Sequence, residues 1–434
     1  MSILISGGLV VDPALGLEEV RDLLVEDGRI VALEPPGAIP AEGREVIDAR
    51  GLVVAPGLID MHVHLREPGE EYKETIETGT AAAARGGFTG VACMPNTRPV
   101  NDSSAVTRFI LDQADRMGRA RVYPVGAISQ GSLGESLSEY GELKAAGCVA
   151  VSDDGRPVMH ALLMRRALEY ARTFDLLVIS HAEDLELRGE GVMHEGKVSV
   201  RLGLKGIPAA AEEIMVYRDI RLARLAGARL HLAHVSTAGS VAIIREAKLA
   251  GFDITAETAP HYFTLTDEAV LGFDTNAKVN PPLRSEWDRE AIMEGLADGT
   301  IDVIACDHAP HSVLEKDVEF AEAAFGLIGL ETSVGLSLKL VHEGVLTMSQ
   351  LIAKMSTNPA TILRVPGGTL APGSPADLTL IDPNREWTVD AAAFVSKSRN
   401  CPFQGWNLKG KAVMTIVHGK TIQNNHLSNR NVKR

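Results

Sequence analysis

Short apolar runs that end in polar or ionisable residues recur along the chain and alternate with segments of helical periodicity. Eight such runs are present: LVVAPGLIDMHVH, GFTGVACMPN, RVYPVGAIS, GCVAVSDD, DLLVISHAE, RLHLAHVS, DITAETAPH and IDVIACDH. Segments between them, such as HALLMRRALEYARTFD and SEWDREAIMEGLADG, place apolar residues three or four positions apart, as in a helix packed on a core. Eight strand and helix units in succession predict an α/β fold, a (β/α)8 barrel of the TIM type.

The two ends of the chain differ from this pattern and consist of short strand-like segments separated by turns that contain glycine. ILISGGLVVD and VRDLLVEDGRIVALE precede the barrel, and PADLTLID and KAVMTIVHGKTI follow it. Neither end has enough apolar surface to be stable alone, so we expect both to form one small composite β-sandwich domain. The predicted division is 1–55 and 366–423 for this domain, 56–365 for the barrel, and a disordered tail at 424–434.

Composition and charge restrict the partners and the compartment. The 434 residues are 45% hydrophobic, enough for a large core, and the net charge of -14 argues against nucleic-acid and anionic-membrane partners. The start, MSILISGGLVVD, has neither a charged leader nor a long apolar stretch, so we expect no membrane span and a cytoplasmic protein. Cys93, Cys148, Cys306 and Cys401 lack zinc-ribbon spacing, and we expect buried thiols.

Residue types that catalyse reactions or bind metals are concentrated where the predicted barrel strands end. The carboxyl ends of the strands form the active-site face of a (β/α)8 barrel. The residues at these ends are His62, His64, Asn96, Asp154, His181, His234, His261, Asp307 and His308. One histidine in such a place is more often a hydrogen-bonded core residue, but several at equivalent strand ends favour a metal site.

The HVH motif in the first run has the spacing of a pair of metal ligands. Alternate residues of a strand point to the same side, so we expect His62 and His64 to project into the barrel mouth and Met61 and Val63 to face the helices. Neutral imidazole is a common zinc ligand. Further ligands are expected at later strand ends, namely His181, His234 and Asp307.

Two other features near these ligands indicate a bridging group and an anion site. A carboxylate that bridges two metal ions is expected from the SDDG motif, where Asp153 and Asp154 are both candidates. Arg66 lies two residues beyond His64, and its guanidinium suits a bidentate pair with a substrate carboxylate. The polar segment HSVLEKDVEFAEAAFG follows the eighth run, and we expect it to border the mouth of the site.

Nine motifs along the chain carry a family resemblance: HVHLREPG, MPNT, SDDG, LGLKGIPAAAEE, AHVST, TAPHYF, NPPLR, CDHAPH and FGLIGLET. In this order they resemble the dihydroorotases of the amidohydrolase superfamily, specifically the long bacterial type (class I), over nearly the whole chain. The resemblance implies a zinc-dependent enzyme that reversibly cyclises N-carbamoyl-L-aspartate to L-dihydroorotate and water. This reaction is the third step of de novo pyrimidine (UMP) biosynthesis.

The resemblance also implies a role for each matching residue. One Zn²⁺ would be held by His62, His64 and Asp307, and a second by His181 and His234. Asp154, preferred to Asp153 from the family register, would bridge the two ions together with a hydroxide, and Asp307 would transfer protons. The implied substrate-binding residues are His64, Arg66, Asn96, Asn280, His311, Phe325 and Gly326. Among them, Arg66, Asn96 and His311 would bind the free carboxylate, and the others would contact the metal-bound or ring-amide part.

Two alternatives remain beside this interpretation. Another cyclic amidohydrolase, a dihydropyrimidinase or allantoinase, would act on a ring without the carboxylate, and in those relatives a carboxylated lysine stands where this chain has SDDG. Some dihydroorotase-like chains are inactive scaffolds for aspartate transcarbamoylase, and those are expected to have lost metal ligands that this chain retains. The resemblance implies a homodimer and is compatible with an active chain that associates with aspartate transcarbamoylase.

Overall fold

Eight parallel strands in chain order form the central sheet of the computed structural model, which describes residues 2–424. The strands are Leu58–Val63, Phe88–Cys93, Arg121–Gly126, Ala150–Ser152, Leu177–Ser180, Leu230–Leu232, Ile254–Thr258 and Val303–Ile304. A parallel bridge between Val63 and His308 joins the first strand to the end of the eighth and closes the ring. The predicted (β/α)8 barrel is confirmed, and each of the eight apolar runs contains one barrel strand.

Helices connect successive barrel strands and cover the outside of the sheet. The principal helices are Ile76–Gly86, Ser104–Met117, Tyr140–Ala146, Ala161–Thr173, Ala210–Ala226, Ala238–Leu249, Glu286–Asp298 and Ser333–His342. Shorter helices lie in the loops and after the barrel, at Leu185–Arg188, Lys197–Leu202, Pro260–Thr264, Val313–Lys316, Met348–Ile352 and Asn358–Leu363. A short parallel strand pair, Met193–His194 with Gly206–Ile207, crosses the loop after the fifth strand. No helix among the described residues is long and apolar enough to cross a bilayer.

Alternate residues of the barrel strands belong to two different apolar clusters. In the second strand, Val91 and Cys93 pack with the helices, whereas Ala92 packs with residues inside the barrel. The interior cluster is closed at the amino ends of the strands by Ile362 and Leu363 of the helix Asn358–Leu363. The amino end is therefore filled with apolar side chains, and polar chemistry is confined to the carboxyl end.

The first strand departs from simple alternation because it contains a β-bulge. Asp60 lies opposite Val91 and Val63 opposite Cys93, so three steps along the first strand match two along the second. Met61 consequently packs in the interior cluster, and the prediction that it faces the helices was wrong, whereas Val63 does face them. The carboxylate of Asp60 stabilises this distortion by accepting from the backbone N–H of His62 at 3.0 Å.

The two ends of the chain form a composite β-domain, as predicted, and all of its strands belong to one hydrogen-bonded sheet. The strands are Ser2–Asp12, Leu17–Glu26, Arg29–Glu34, Glu45–Asp48, Val53–Pro56, Leu378–Thr388, Asn407–Val417 and Lys420–Asn424. Antiparallel pairing of Val53–Pro56 with Leu378–Thr388 joins the two halves. The division at 55/56 and 365/366 stays a prediction. The predicted tail lies outside the described residues, except for Asn424, which ends the last strand.

All four cysteines are buried free thiols, in agreement with the sequence prediction. Burial raises the pKa of Cys93 to about 12 and that of Cys148 to about 11. Thiols of such high pKa are protonated at neutral pH and behave as small apolar groups in the core.

Candidate metal centre and active site

The carboxyl ends of the barrel strands bring the predicted metal ligands together in two groups that share one carboxylate. The first group is His62, His64 and Asp154, and the second is Asp154, His181 and His234; within each, the candidate ligand atoms lie within 4.8 Å of one another. Asp154 Oδ1 is 3.3 Å from His62 Nε2, and Oδ2 is 3.6 Å from His64 Nε2. A carboxylate common to two groups of nitrogen ligands has the position of a bridge between two metal ions.

The second group has the same geometry on the other side of Asp154. His181 Nδ1 and His234 Nε2 lie 2.8 Å apart, and each is 3.4 Å from Asp154 Oδ1. Asp307 lies beside the first group, with Oδ1 3.1 Å from His64 Nε2 and 3.6 Å from His62 Nε2. The structure thus places all six predicted ligands in one cluster.

Buried atoms without partners indicate that this cluster is suited to a metal. Within the described residues, His62 Nε2 and Asp154 Oδ1 are buried and have no hydrogen-bond partner. A buried polar atom left unpaired costs about 1–3 kcal/mol, and a divalent cation would satisfy both atoms. Imidazole nitrogens and carboxylate oxygens are the donor set that Zn²⁺ accepts. The residues therefore fit a metal ion.

The electrostatics of the cluster favour negative carboxylates next to imidazoles. Burial by itself would raise the pKa of Asp154, but the neighbouring His62, His181 and His234 hold it well below its usual range. Burial likewise opposes ionisation of Asp307, and His62 and His64 lower its pKa. Both carboxylates are therefore ionised at neutral pH, as ligands of a cation must be.

Glu257, which the sequence analysis missed, binds the ring nitrogen of His62 that faces away from Asp154. Its Oε1 accepts a hydrogen bond from His62 Nδ1 at 2.7 Å, which leaves His62 Nε2 directed at Asp154. Its Oε2 is 3.2 Å from His231 Nε2, and His231 Nδ1 contacts Thr255 Oγ1 at 2.8 Å. Burial opposes ionisation of Glu257, but the two histidines lower its pKa to about 2. The signal in the sequence was an acidic residue inside the apolar run DITAETAPH.

Asn96 connects the first metal group to the predicted carboxylate-binding residues. Its Oδ1 accepts from His64 Nδ1 at 2.9 Å, so the amide oxygen is occupied and the Nδ2 donors remain for another partner. A neighbouring pair, Arg66 and His311, is also buried, with Arg66 Nη2 3.3 Å from His311 Nε2. We call Arg66, Asn96 and His311 the carboxylate clamp. Arg66 and Asn96 Nδ2 supply the donor groups that the binding of a carboxylate requires, and His311 lies beside them.

Arg66 and His311 are themselves held by main-chain carbonyls. Arg66 Nε donates to Pro310 O at 3.1 Å, and His311 Nε2 donates to Phe325 O at 2.8 Å. Burial, Arg66 and nearby lysines lower the pKa of His311 to about 2, so the ring is neutral at physiological pH. The carboxylate clamp therefore carries one full positive charge, on Arg66.

A cavity of about 210 Å³ connects the metal cluster with the carboxylate clamp. The predicted residues that line it are His64, Arg66, Asn96, Asp154, His181, His234, Asn280, Asp307, His311, Phe325 and Gly326. His62 is fully buried behind the cavity. The volume of the cavity suits a small polar metabolite rather than a polymer.

Two more residues that the sequence analysis missed, Glu183 and Arg188, lie on the side of Asn280. Glu183 Oε2 accepts from Asn280 Nδ2 at 3.1 Å, which leaves the buried Asn280 Oδ1 without a partner. Arg188 lines the cavity, 3.5 Å from Glu183 and 5.2 Å from the Phe325 ring centre. Asn280 therefore presents an acceptor to the cavity, complementary to an N–H group of a ligand.

Three strand-end residues named from the sequence lie outside the cluster. Asp153 points away from it and accepts from the backbone N–H of Ser129 at 3.1 Å. His308 pairs with Glu74 at 3.2 Å. His261 is buried, and burial lowers its pKa to about 4. Between the two carboxylates of SDDG, only Asp154 has the position of a bridge.

Comparison with known proteins places this geometry in a family. A model described as dihydro-orotase-like matches residues 51–240, and an amidohydrolase family model matches residues 330–423. The dihydroorotase of Geobacter metallireducens is 61% identical over 422 residues, which cover 97% of this chain and 99% of that protein. The dihydroorotase of Syntrophus aciditrophicus is 56% identical, with 97% and 99% covered. The chain belongs to the dihydroorotase family.

Solved structures support the architecture of this family member. An L-hydantoinase (dihydropyrimidinase) from Arthrobacter aurescens superposes with a TM-score of 0.88 at 26% identity, covering 98% of this chain and 96% of that one. A dihydropyrimidinase from Brevibacillus agri gives a TM-score of 0.84 at 24% identity, covering 98% and 95%, and bears on the fold alone. As a dihydroorotase family member with these two His/Asp groups, the protein is a metal-dependent cyclic amide hydrolase.

Proposed function

We propose that the protein is a zinc-dependent dihydroorotase that interconverts N-carbamoyl-L-aspartate and L-dihydroorotate in the third step of de novo pyrimidine biosynthesis. The observation that carries this proposal is one cavity with Asp154 between two ligand groups at one end and the carboxylate clamp at the other. The reaction needs both ends, because its substrate has one carboxylate that is chemically inert and one amide that is made or broken.

We propose two Zn²⁺ per chain, one held by His62, His64 and Asp307, the other by His181 and His234, with Asp154 common to both. Zinc bound there supplies Lewis acidity toward the amide carbonyl and lowers the pKa of a bound water to about 7. Glu257 keeps His62 Nε2 directed into the site. Asn96 Oδ1 accepts from His64 Nδ1 and so keeps His64 Nε2 directed into the site.

Asp307 is the proposed proton carrier. In ring opening it takes the proton of the attacking water and delivers it to the ring nitrogen as the C–N bond breaks and the C–O bond forms. In ring closure the same carboxylate takes the proton from the ureido nitrogen and returns it to the departing oxygen. The low pKa of Asp307 keeps it ionised at neutral pH.

The substrate is oriented by contacts at both ends of the cavity. Arg66 and Asn96 Nδ2 donate to the free carboxylate, and His311 lies beside Arg66 at that end of the cavity. Asn280 Oδ1, left free by Glu183, accepts from an N–H of the ureido group. The backbone at Phe325 and Gly326 lines the same side and contacts the ring amides in this proposal.

The two alternatives are less consistent with this site. A dihydropyrimidinase or allantoinase acts on a ring without the free carboxylate, so a buried Arg66 with its charge exposed to the cavity would be an energetic cost without a function. An inactive scaffold for aspartate transcarbamoylase needs no metal cluster, whereas the six ligand positions here converge.

Assembly and location are part of the proposal as well. We propose a homodimer, and the half-exposed Ile214 and Tyr217 on the helix Ala210–Ala226 are candidate contact residues. Association of the active enzyme with aspartate transcarbamoylase is compatible with this arrangement. Four free thiols suit the reducing cytoplasm. Sedimentation of the protein alone and with that partner enzyme measures both associations.

The test is steady-state ring opening of L-dihydroorotate, followed by ultraviolet absorbance, with 5,6-dihydrouracil and allantoin as parallel substrates and a chelator-treated control. We expect metal-dependent turnover of dihydroorotate alone. Turnover of the uncharged rings instead would assign the protein to a sister amidohydrolase. If none of the three substrates is turned over with zinc supplied, the result would support the alternative of an inactive scaffold.

A further inference from the structure

Two lysines buried beside the cavity have no part in the chemistry described so far. Lys278 is 2% exposed and Lys316 is 5% exposed. Within residues 2–424, neither ammonium forms an ion pair with a carboxylate. Burial lowers the pKa of Lys316 to about 7 and that of Lys278 to about 8. Burying these two amines is therefore costly, and an apolar side chain of the same length would avoid that cost.

Both ammonium groups donate to main-chain carbonyls of one short segment, residues 320–326. Lys316 Nζ donates to Ala324 O at 2.7 Å and to Gly326 O at 3.0 Å. Lys278 Nζ donates to Phe320 O at 2.7 Å and to Ala321 O at 2.8 Å. The segment forms no helix or strand, so its buried carbonyls lack the partners that regular structure would supply.

The same segment carries the backbone that borders the substrate cavity. Phe325 O accepts from His311 Nε2, so the path of the chain at Phe325 sets the orientation of the imidazole in the carboxylate clamp. Gly326 N–H donates to Lys278 O at 2.8 Å, which links the segment to the loop that leads to Asn280. Gly326 has a φ of 133°. Asn400 Nδ2 is a second side-chain donor to Gly326 O, at 3.1 Å, beside Lys316.

We propose that Lys316, assisted by Lys278, is a positioning residue for substrate binding: its ammonium fixes the main chain at Ala324 and Gly326 so that Phe325, Gly326 and His311 meet the substrate. This inference rests on the proposed function, because it concerns the binding of substrate at that same site. Neither lysine touches a metal ligand, so metal binding and proton transfer do not depend on them.

Lys354 provides a matched control at the opposite end of the barrel. It is 6% exposed, and its Nζ donates to the carbonyl of Ile301, which precedes the eighth barrel strand. Burial lowers its pKa to about 8. Lys354→Met therefore removes the same kind of buried ammonium and hydrogen bond, far from the cavity.

The experiment compares wild type, Lys316→Met and Lys354→Met with zinc supplied, measuring kcat and KM for L-dihydroorotate, zinc content and thermal unfolding. We expect KM to rise about tenfold in Lys316→Met, the equivalent of about 1.4 kcal/mol, with kcat within about threefold and zinc content unchanged. In Lys354→Met we expect the wild-type KM. Thermal unfolding reports the structural effect of each substitution, since both variants lose a buried ammonium and leave main-chain carbonyls without that donor.

Several results would overturn the inference. These are a wild-type KM in Lys316→Met, an equal rise in KM in both variants, or a loss of kcat that tracks lost zinc. If Lys316→Met does not fold, Lys316→Gln carries the test. Its side chain is uncharged and one bond shorter, so we expect it to lose at least one of the contacts with Ala324 O and Gly326 O, and an unchanged KM there contradicts the inference. A wild type that opens another ring and not dihydroorotate would instead reject the proposed function itself.

Discussion

Glu257 is the residue whose removal should weaken the metal centre without removing a ligand. It is 1% exposed and binds His62 on one side and His231 on the other. In Glu257→Ala, His62 Nδ1 loses its acceptor, and the ring is free to rotate away from Asp154. Glu257→Gln is the informative partner, because its amide oxygen can still accept from His62 while its NH₂ donates to His231.

The expected magnitude follows from the contacts that the alanine substitution removes. Glu257→Ala deletes the hydrogen bond from His62 to a buried carboxylate, in the range of about 1.5–3 kcal/mol for a charged partner, and the 3.2 Å contact of that carboxylate with His231. Part of this free energy stabilises the fold and part supports the affinity for metal. Removal of a residue that orients a ligand typically costs about 10–100-fold in metal affinity, or about 1.4–2.8 kcal/mol. We therefore expect the zinc affinity of Glu257→Ala to fall by about 10–100-fold, and that of Glu257→Gln to stay within about threefold of wild type.

The assay is competition for zinc with a chromogenic chelator, together with kcat at saturating zinc. Asp12→Ala is the control, since Asp12 is a fully buried carboxylate in the β-domain that accepts from Leu370 N–H at 2.6 Å and touches no ligand. It should lose stability and keep its zinc affinity. Zinc affinity in Glu257→Ala equal to that of wild type, or equally weak affinity in the alanine and glutamine variants, would refute the reasoning.

Three further predictions concern proton transfer, substrate binding and pH. Asp307→Asn should lower turnover about 10²–10⁴-fold with an unchanged circular dichroism spectrum, and a variant with most of its activity would remove Asp307 from the mechanism. Arg66→Ala should raise KM at least tenfold, because a charged hydrogen bond of about 1.5–3 kcal/mol is lost, and should change kcat less; an unchanged KM would exclude Arg66 from carboxylate binding. Burial raises the pKa of Glu331 to about 7 from its ordinary value of 4.5. The native state therefore binds more protons than the unfolded state between these values, and its stability should fall as pH rises from 4.5 to 7. Glu331→Gln should reduce the slope of Tm against pH in this range. Identical slopes in the variant and wild type would contradict the raised pKa of Glu331.

The barrel could be predicted from the sequence because its signal is local. Each strand is a buried apolar run and each long helix shows its own periodicity, so the eight units are visible without any knowledge of their contacts. The convergence of the six ligand positions follows from a general property of the fold, since all parallel strands end at the same face. The composite β-domain could be predicted for a similar reason, because the two incomplete ends can bury their apolar faces only by packing together.

The residues that the sequence analysis missed act through contacts between distant parts of the chain. Glu257 meets His62 across 195 positions, and Glu183 meets Asn280 across 97. No local pattern encodes such pairs, because they depend on the register of closure and on loop paths. The bulge that turns Met61 inward is a comparable case, since it is a property of pairing between two strands and not of either strand alone.

The backbone of the site adds a physical reason for this dependence on distant contacts. Arg66, His234 and Asp307 have φ values of 63°, 34° and 48°, in the left-handed region that favours glycine. Each costs on the order of 1–2 kcal/mol, so the three together take up a substantial part of a typical net stability of about 5–15 kcal/mol. Glycine would relieve the strain but has no side chain to bind a metal or a carboxylate. These conformations persist only where surrounding contacts over-determine them, as the hydrogen bond from Arg66 to Pro310 does here.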